Sequence, residues 1–492
     1  AALLLISAVG WYVIIQHVRG SRMVLNLERP AGYEMRASGT YFCPNHFANM
    51  AAMAMCLALA LLFTPEAGWP LKLISGYSFI LLGWPLLLTQ SRSGVLGVLA
   101  GTGSFLLLAA IRRGTRALLI ALVAVPLLLG AAGWGAWRYG PHMRERVMQA
   151  VRGLDRRDDW RILAWLGTVE MIRERPVWGH GGGSFRHVEP RHQTYHWGNT
   201  AVYAHNEILQ AVSEYGLVGA GLLTVGLAIL CWKLFVRVRK SRRPRNALLA
   251  AGCLSVFIGS FVHALFDFNF HIYSNSQFLM LVAGVTFSCL FADREWTARP
   301  VFEGRRGTIA RGLGLALAVG LFLALLRSGL SYGISFPAAA ARMAEQFDRS
   351  ERLYRRALRI DSGDWETRRG LANTLLQGAL HLRGEEKRQR LAESLREFEF
   401  ALRINPHDVE GWYRLSHVYG LLGDDEKTLE CLRETVKILP NFPYYRSRLG
   451  VQLYRMGRMN EAREAFDRVL LADSSDKTAR MHLREIQRRQ GR

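Results

Sequence analysis

The chain has 492 residues, half of them hydrophobic, and a formal net charge of +23. So positive a charge suggests nucleic-acid binding in a soluble protein, but here the arginines cluster in short loops between apolar runs. This pattern favours a membrane topology signal and no nucleic-acid partner. The apolar residues lie mainly in the first two thirds, so we expect a membrane part followed by a soluble part. The six cysteines predict no disulfide framework, since most lie inside apolar runs.

Apolar runs long enough to cross a membrane recur about nine times before residue 331. They lie near residues 1–18, 47–64, 71–90, 93–111, 115–136, 208–236, 246–266, 276–292 and 309–330. The chain opens on Ala1 inside such a run, so we expect it to be a fragment that lacks upstream helices.

Basic loops set the expected orientation of these spans. Clusters of arginine and lysine mark three cytoplasmic loops, at 112–116, 237–245 and about 294–311. Alternation then assigns the other connections to the outer side, namely 19–46, 138–204, 267–275 and everything after residue 330. The first of these segments carries four arginines, which argue against an outer location; we keep it because the other loops agree with one another.

The last third of the chain repeats with a fixed period. Pro406, Pro440 and Ser474 hold equivalent places in "ALRINPHD", "VKILPNFP" and "VLLADSSD", each 34 residues after the one before. This is the period of the tetratricopeptide repeat, so residues 337–492 are predicted to form three to four stacked helical hairpins, an α-solenoid. Such an array binds a protein partner or braces an assembly, and we expect it to be dispensable for chemistry.

Three residues of the membrane part are candidates for chemistry. Arg92 and Arg161 both fall at the outer boundary, where guanidinium groups grip phosphate oxygens in two-point contacts. His205 begins an apolar helix, whose N-terminal dipole disfavours imidazolium and leaves a base. The alternative is that the arginines snorkel to the headgroups and that the histidine is a hydrogen-bonded boundary residue.

Further polar residues stand beside these spans. Asn206 can cap its helix or position a substrate, while Asn45 and His46 precede another span. The stretch "HALFDFNFH", residues 263–271, supplies histidines and an aspartate, but without a metal-ligand spacing, so no metal is predicted. The glycines of "GHGGGSF" predict a structural turn rather than a phosphate-binding loop, because neither a strand nor a Lys-Ser/Thr pair flanks them.

Four stretches in this order resemble the O-antigen ligase and polymerase family: "GTYFCPNHFAN", "QSRSGVLG", "WRILAWLGTVEMIRERPVWGHGGGSF" and "AHNEILQAVSEYGLVG". The resemblance covers about residues 40–330. It implies an all-α, polytopic helical membrane bundle of the GT-C type, residues 1–336, with its active site in a long periplasmic loop, residues 138–204. The chain departs from the family by its late start, by "HGGGSF" in place of "GxGxGxF", and by its repeats.

The resemblance also implies a function. Such enzymes take a glycan from an undecaprenyl-diphosphate donor without metal or cofactor, in the bacterial inner membrane. Arg92, Arg161 and His205 match the family's two functional arginines and its base. With Asn206, Asn45 and His46, the arginines form the candidate substrate-binding set. The acceptor stays open between lipid A core, a growing glycan and a protein hydroxyl, and the rival function is a non-catalytic membrane scaffold that recruits a partner through its repeats.

We predict that the repeats face the same compartment as His205, because a single span separates them from the last basic loop. Cysteine introduced at Ser474 should react with an impermeant thiol reagent in intact spheroplasts. A cysteine introduced in the 237–245 loop, the matched control, should be protected. The reverse labelling pattern would show that the spans have the opposite orientation.

Overall fold

A computed structural model describes residues 1–120, 160–193, 201–291 and 304–490, apart from 26, 30–32, 34 and 35, together with a few residues between 122 and 148. By its contacts the chain divides into two units. The first comprises residues 1–185 and 201–295, and the second comprises residues 186–200 and 296–492.

The first unit is helical. Its helices are α1 (Ala2–Val18), α2 (Pro44–Phe63), α3 (Trp69–Leu88), α4 (Arg92–Arg113), α5 (Trp160–Glu174), α6 (Glu207–Lys240), α7 (Pro244–Ala264) and α8 (Tyr273–Phe291). A two-residue antiparallel pair, β1 (Met23–Val24) with β2 (Leu27–Glu28), follows α1. A 3-10 turn, Asn269–His271, joins α7 to α8.

Five of these helices are long and apolar enough to cross a membrane: α2, α3, α4, α6 and α7. They coincide with the spans predicted at 47–64, 71–90, 93–111, 208–236 and 246–266. The run predicted at 1–18 forms the shorter helix α1, and the one at 276–292 falls in α8. The span predicted at 115–136 lies largely outside the described residues. The expected helical bundle is confirmed, and the protein is a multi-pass membrane protein.

Helix α2 is the centre of this bundle. It packs against α3, α4 and α7. Of its apolar 18-residue stretch, 83% is buried, whereas only 11% of the corresponding stretch of α6 is buried. Helices α4 and α7 approach closely where small residues face each other. A Cβ on Gly259 of α7 would lie 2.7 Å from the carbonyl oxygen of Gly97 on α4, and one on Gly101 of α4 would lie 3.1 Å from the carbonyl oxygen of Ser255 on α7. Close packing of this kind is typical of helix association in membranes.

The second unit contains the repeats. Its helices are α9 (Gly304–Met343), α10 (Phe347–Ile360), α11 (Trp365–Ala379), α12 (Gly384–Ile404), α13 (Val409–Leu422), α14 (Asp425–Ile438), α15 (Pro443–Arg455), α16 (Met459–Ala472) and α17 (Lys477–Gln490). Successive helices pack as antiparallel hairpins from the end of α9 onward. Gly450, Ala462 and Phe466 pack against one another between α15 and α16, with the Phe466 ring directly over Gly450. The predicted boundary between 336 and 337 falls inside α9, whose bounds also cover the last predicted span, 309–330.

We predict that Gly259→Ala destabilises the bundle, because its new methyl group would overlap the Gly97 carbonyl. Overpacking of this kind costs about 1–3 kcal/mol. The matched control is Gly226→Ala on α6, where no atom lies within 4 Å of the added carbon and alanine improves helix propensity. The midpoint of thermal unfolding in detergent should fall for the first variant only. Equal midpoints would contradict the close approach.

Candidate active site

The carboxylate of Asp267 lies at the centre of a polar cluster just beyond the end of α7. Its side chain is fully buried. Oδ2 accepts a hydrogen bond from Nδ2 of Asn45 at 2.7 Å, and Oδ1 accepts one from the backbone N–H of Phe268 at 2.9 Å. Nδ1 of His205 lies 3.4 Å from Oδ1. Burial opposes ionisation, but the hydrogen bond to His205 and the surrounding histidines outweigh it and hold the pKa of this carboxyl below its ordinary value.

A buried arginine, Arg36, is linked to the Asp267 carboxylate through the side-chain amide of Asn45. The guanidinium of Arg36 donates to Oδ1 of Asn45 at 2.6 Å and to the carbonyl oxygen of Thr89 at 2.8 Å. Both ends of the Asn45 amide are therefore engaged, one by a cation and one by the carboxylate. Arg29 in turn donates to the Arg36 carbonyl oxygen and is itself buried. Two of the arginines that opposed an outer location for 19–46 are thus parts of a folded polar network.

His205 is held in an unusual backbone conformation. Its φ is 51°, in the left-handed region that residues other than glycine seldom adopt. The residue before it is fixed on both sides: Nε1 of Trp165 donates to the Ala204 carbonyl oxygen at 2.9 Å, and the Ala204 N–H donates to Oε1 of Gln210 at 2.7 Å. The imidazole meets the Phe268 ring edge-on, with 4.5 Å between centroids. Strain of this kind marks positions that surrounding structure fixes for function.

The contact with Asp267 sets what His205 can do chemically. A carboxylate beside Nδ1 favours the tautomer with the proton on that nitrogen, so Nε2 becomes the basic atom. The same carboxylate stabilises the imidazolium that forms when Nε2 takes a proton. The side chain of His205 is 21% exposed, whereas that of Asp267 is fully buried. The pair therefore has the arrangement of a general base, His205, with a carboxylate, Asp267, that orients it.

The two predicted arginines begin helices whose first turns border this cluster. Arg92 opens α4 after the Ser91 cap, whose Oγ accepts the Gly94 N–H at 3.1 Å. A Cβ on Gly94 would lie 2.6 Å from Cβ of Ala48, in the first turn and a half of α2. Gln90, just before this cap, also has a positive φ of 51°. The start of α4 therefore packs at the same end of the bundle as His46.

Arg161 lies one helical turn before Trp165 on α5, so the two side chains share a face. Because Trp165 bonds to the residue before His205, the start of α5 is tied to the mouth of α6. Arg161 is also close enough to His263 to act on it electrostatically. Its position is thus consistent with the predicted grouping of Arg161 with His205.

The remaining predicted residues serve local structure. Asn206 is the N-cap of α6, and its Oδ1 accepts the N–H groups of Ile208 and Leu209 at 3.0 and 3.1 Å. His46 is buried in the first turn of α2, with its ring edge-on to Phe268. Nε2 of His46 has no hydrogen-bond partner among the described residues. Within that same part of the chain, no group of three histidine, cysteine, aspartate or glutamate side chains could hold a metal ion.

The glycine-rich stretch closes a break in α6 and forms a turn, as predicted. Gly216 interrupts the helix with φ 66° and ψ 180°. Carbonyl oxygens of Ser213 and Glu214, before the break, accept the N–H groups of His180 and Gly181 at 3.0 and 2.8 Å. The Leu217 N–H, after the break, donates to the Pro176 carbonyl oxygen at 2.8 Å. The glycines permit this backbone-to-backbone approach, since a Cβ on Gly179 would lie 2.4 Å from the Glu214 carbonyl oxygen.

A second histidine–carboxylate pair lies beside the first. Nδ1 of His271 is 3.2 Å from Oε2 of Glu207, and the Tyr203 ring stacks on Phe268 and lies tilted against His271. Burial lowers the pKa of His271, but the hydrogen bond and the charge of Glu207 raise it more, so it lies above its ordinary value. The stability that the pair contributes is therefore complete below pH 6.5, the ordinary pKa, and is lost as the pH rises through the raised pKa.

We predict that Glu207→Gln lowers the midpoint of thermal unfolding most below pH 6.5, and progressively less as the pH rises above it. The matched control is Glu66→Gln, which changes an exposed carboxylate in the turn between α2 and α3. Unfolding midpoints in detergent across this range measure the effect. A deficit of the same size at every pH would show that the pair carries no proton-linked stability.

One family model matches part of the first unit. Residues 77–224 match the family model Wzy_C, described as O-antigen ligase. This range contains Arg92, Arg161 and His205, whereas Asn45 and Asp267 lie outside it. No curated protein matches the chain.

Solved structures of TPR proteins resemble about a third of the chain. YrrB, a TPR protein with an unusual peptide-binding site, is 21% identical and covers 32% of this chain and 76% of its own, with a TM-score of 0.28. MamA is 16% identical over 31% of this chain and 83% of its own, also with a TM-score of 0.28. A thermophilic TPR protein from Thermus thermophilus is 19% identical over 32% of this chain and 98% of its own, with a TM-score of 0.22. Over residues 77–224, the chain is similar to the O-antigen ligase family, Wzy_C.

Proposed function

We propose that the protein transfers a glycan from an undecaprenyl-diphosphate-linked donor to an acceptor hydroxyl on the periplasmic face of the bacterial inner membrane. The ligase domain supports glycan transfer in general. The observation that carries the specific proposal is the buried Asp267 carboxylate 3.4 Å from Nδ1 of His205, a histidine that lies inside the matched range. A base oriented in this way is what activation of a hydroxyl requires.

In this mechanism Nε2 of His205 takes the proton from the acceptor hydroxyl. The hydroxyl oxygen attacks the anomeric carbon of the donor sugar as the bond from that carbon to the diphosphate oxygen breaks. Electron density leaves with the lipid diphosphate, and Arg92 and Arg161 stabilise the negative charge that develops there. A single displacement inverts the anomeric configuration. Since two guanidinium groups supply the positive charge, the proposed reaction needs no divalent metal.

The polar network suggests a division of labour among the other candidates. Asn45 and Arg36 would act on the reaction by fixing Asp267, and Asn206 by fixing the start of α6 next to His205. His46, buried against Phe268, would shape the same pocket beside the donor. We keep lipid A core as the first acceptor by analogy with the ligase domain, and a growing glycan or a protein hydroxyl as alternatives.

The repeats favour a second role, the recruitment of a partner. A cavity of about 500 Å³ opens between α11, α13 and α15, and basic side chains line it: Arg414, His417, Arg448 and Arg455. Among the described residues that line it, Asp425 is the only acidic one. This charge balance suits an acidic peptide segment. In the rival function, the protein recruits such a partner and catalyses nothing.

We predict that His205→Ala lowers turnover roughly 10²–10⁴-fold while binding of the lipid diphosphate persists, because the base is lost but both arginines remain. Asp267→Asn should behave similarly, since the imidazole loses its orienting carboxylate. Arg92→Lys or Arg161→Lys keeps the charge but loses the planar fork, so either should weaken donor binding or turnover. Transfer by purified protein in lipid, from a defined polyprenyl-diphosphate donor, measures all four.

Two controls accompany this series. His180→Ala changes a histidine whose Nε2 contacts the Met171 carbonyl oxygen at 3.0 Å, outside the Asp267 cluster, and it should leave turnover near the wild-type value. A chelator should leave wild-type activity intact. Near-normal turnover in His205→Ala would refute the base, and near-normal turnover in every variant would favour the recruiting scaffold.

A further inference from the structure

A short piece of the long outer loop belongs to the repeat unit. Residues 186–193 lie between Arg161 and His205 in sequence, yet by contacts they group with the repeats. The guanidinium of Arg186 is 2.5 Å from the Glu366 carboxylate. His187 contacts Nδ2 of Asn405 at 3.3 Å, and its ring meets Trp365 edge-on at 5.2 Å.

The second half of this docked segment, residues 186–193, continues along the array. Arg191 contacts the His407 imidazole, and the Asn441 side chain donates a hydrogen bond to the Gln193 carbonyl oxygen. Val188 and Glu189 between them are buried. The segment is therefore packed as well as hydrogen-bonded.

The partners on the array come from three successive turns. Glu366 follows the turn between α10 and α11, Asn405 and His407 lie between α12 and α13, and Asn441 lies between α14 and α15. The repeat presents one such turn per hairpin, so together they form a row. The docked segment lies along this row as a short helix, Phe185–Val188, followed by a 3-10 turn, Glu189–Arg191. A single exposed ion pair contributes about 0–1 kcal/mol, so the row acts through the sum of its contacts.

We infer that the repeat array is a positioning element of the transfer reaction. It holds the middle of the segment that joins α5, which carries Arg161, to His205 at the start of α6. The inference rests on the proposed function. Just before the docked segment, the Phe185 N–H donates to Oε1 of Glu214 at 3.3 Å, so the loop is fixed on both sides of residue 186. Fixing a long loop in its middle removes conformational freedom that would otherwise loosen the placement of both ends.

This inference opposes the expectation that the repeats are dispensable for chemistry. An array that only recruits a partner would leave turnover on a small defined acceptor unchanged when its turns are altered. An array that positions the loop makes turnover depend on those turns even when no partner is present. Glu366, Asn405, His407 and Asn441 then become positioning residues, although none of them touches a reacting atom.

The first test compares two variants of the full chain. Asn441→Ala removes the hydrogen bond to Gln193, and Ser475→Ala changes the equivalent position one repeat later, 34 residues on. Amide hydrogen exchange of residues 186–193 and transfer to a small acceptor are measured on both proteins. Asn441→Ala should lower both protection and kcat roughly three- to tenfold, with donor binding unchanged, whereas Ser475→Ala should alter neither.

The second test exchanges charges. Arg186→Glu and Glu366→Arg should each reduce protection and kcat, and the double variant should restore both, because the ion pair is rebuilt in reverse. Rescue separates positioning from general damage to the array. Unchanged protection in Asn441→Ala and both charge variants would refute docking, and lost protection with normal kcat would refute positioning. If wild-type protein transfers nothing, the proposed function fails and positioning fails with it, while the exchange data still report docking.

Discussion

The first unit is organised around one constraint: a carboxylate buried beyond the end of α7 must be compensated where water does not reach. Asp267 recruits an amide, a backbone N–H and an imidazole, and through the amide a buried guanidinium. Removing one partner from such a set costs about 3–5 kcal/mol, because the others are left buried and unpaired. The need to satisfy this charge thus draws together the segment before α2, α2 itself and the mouth of α6, which are distant in sequence.

The same reasoning accounts for residues that looked out of place. Arginines in a connection assigned to the outer side contradict the positive-inside rule only if they are loose loop charges, and Arg29 and Arg36 are instead buried and hydrogen-bonded. The backbone near residue 180 closes the break at Gly216, because the N–H groups of His180 and Gly181 donate to two helix carbonyl groups. The polar and glycine-rich residues at this boundary therefore supply hydrogen bonds to backbone groups and buried charges that would otherwise have no partner.

What could be predicted from the sequence is what local composition determines. The five spans and the 34-residue period follow from runs and repetition. The roles of Arg92, Arg161 and His205 rest on their boundary positions and on the resemblance, and they stay predictions. The sequence marks Asp267 only as one polar residue of a boundary stretch. Its pairing with His205 joins positions far apart in the chain, and no periodicity signals such a contact. The docking of residues 186–193 was equally invisible, since it consists of individual polar contacts with turns whose sequence is otherwise explained by the repeat.

The left-handed backbone of His205 carries a consequence for the evolution of this site. A side chain in that region costs roughly 1–2 kcal/mol that glycine would not incur. Glycine would relieve that strain but would also remove the imidazole from the buried Asp267 carboxylate, and a loss of this kind costs about 3–5 kcal/mol. The buried carboxylate therefore limits sequence change at this position independently of any chemistry, and a screen for thermostable descendants would be expected to keep the histidine.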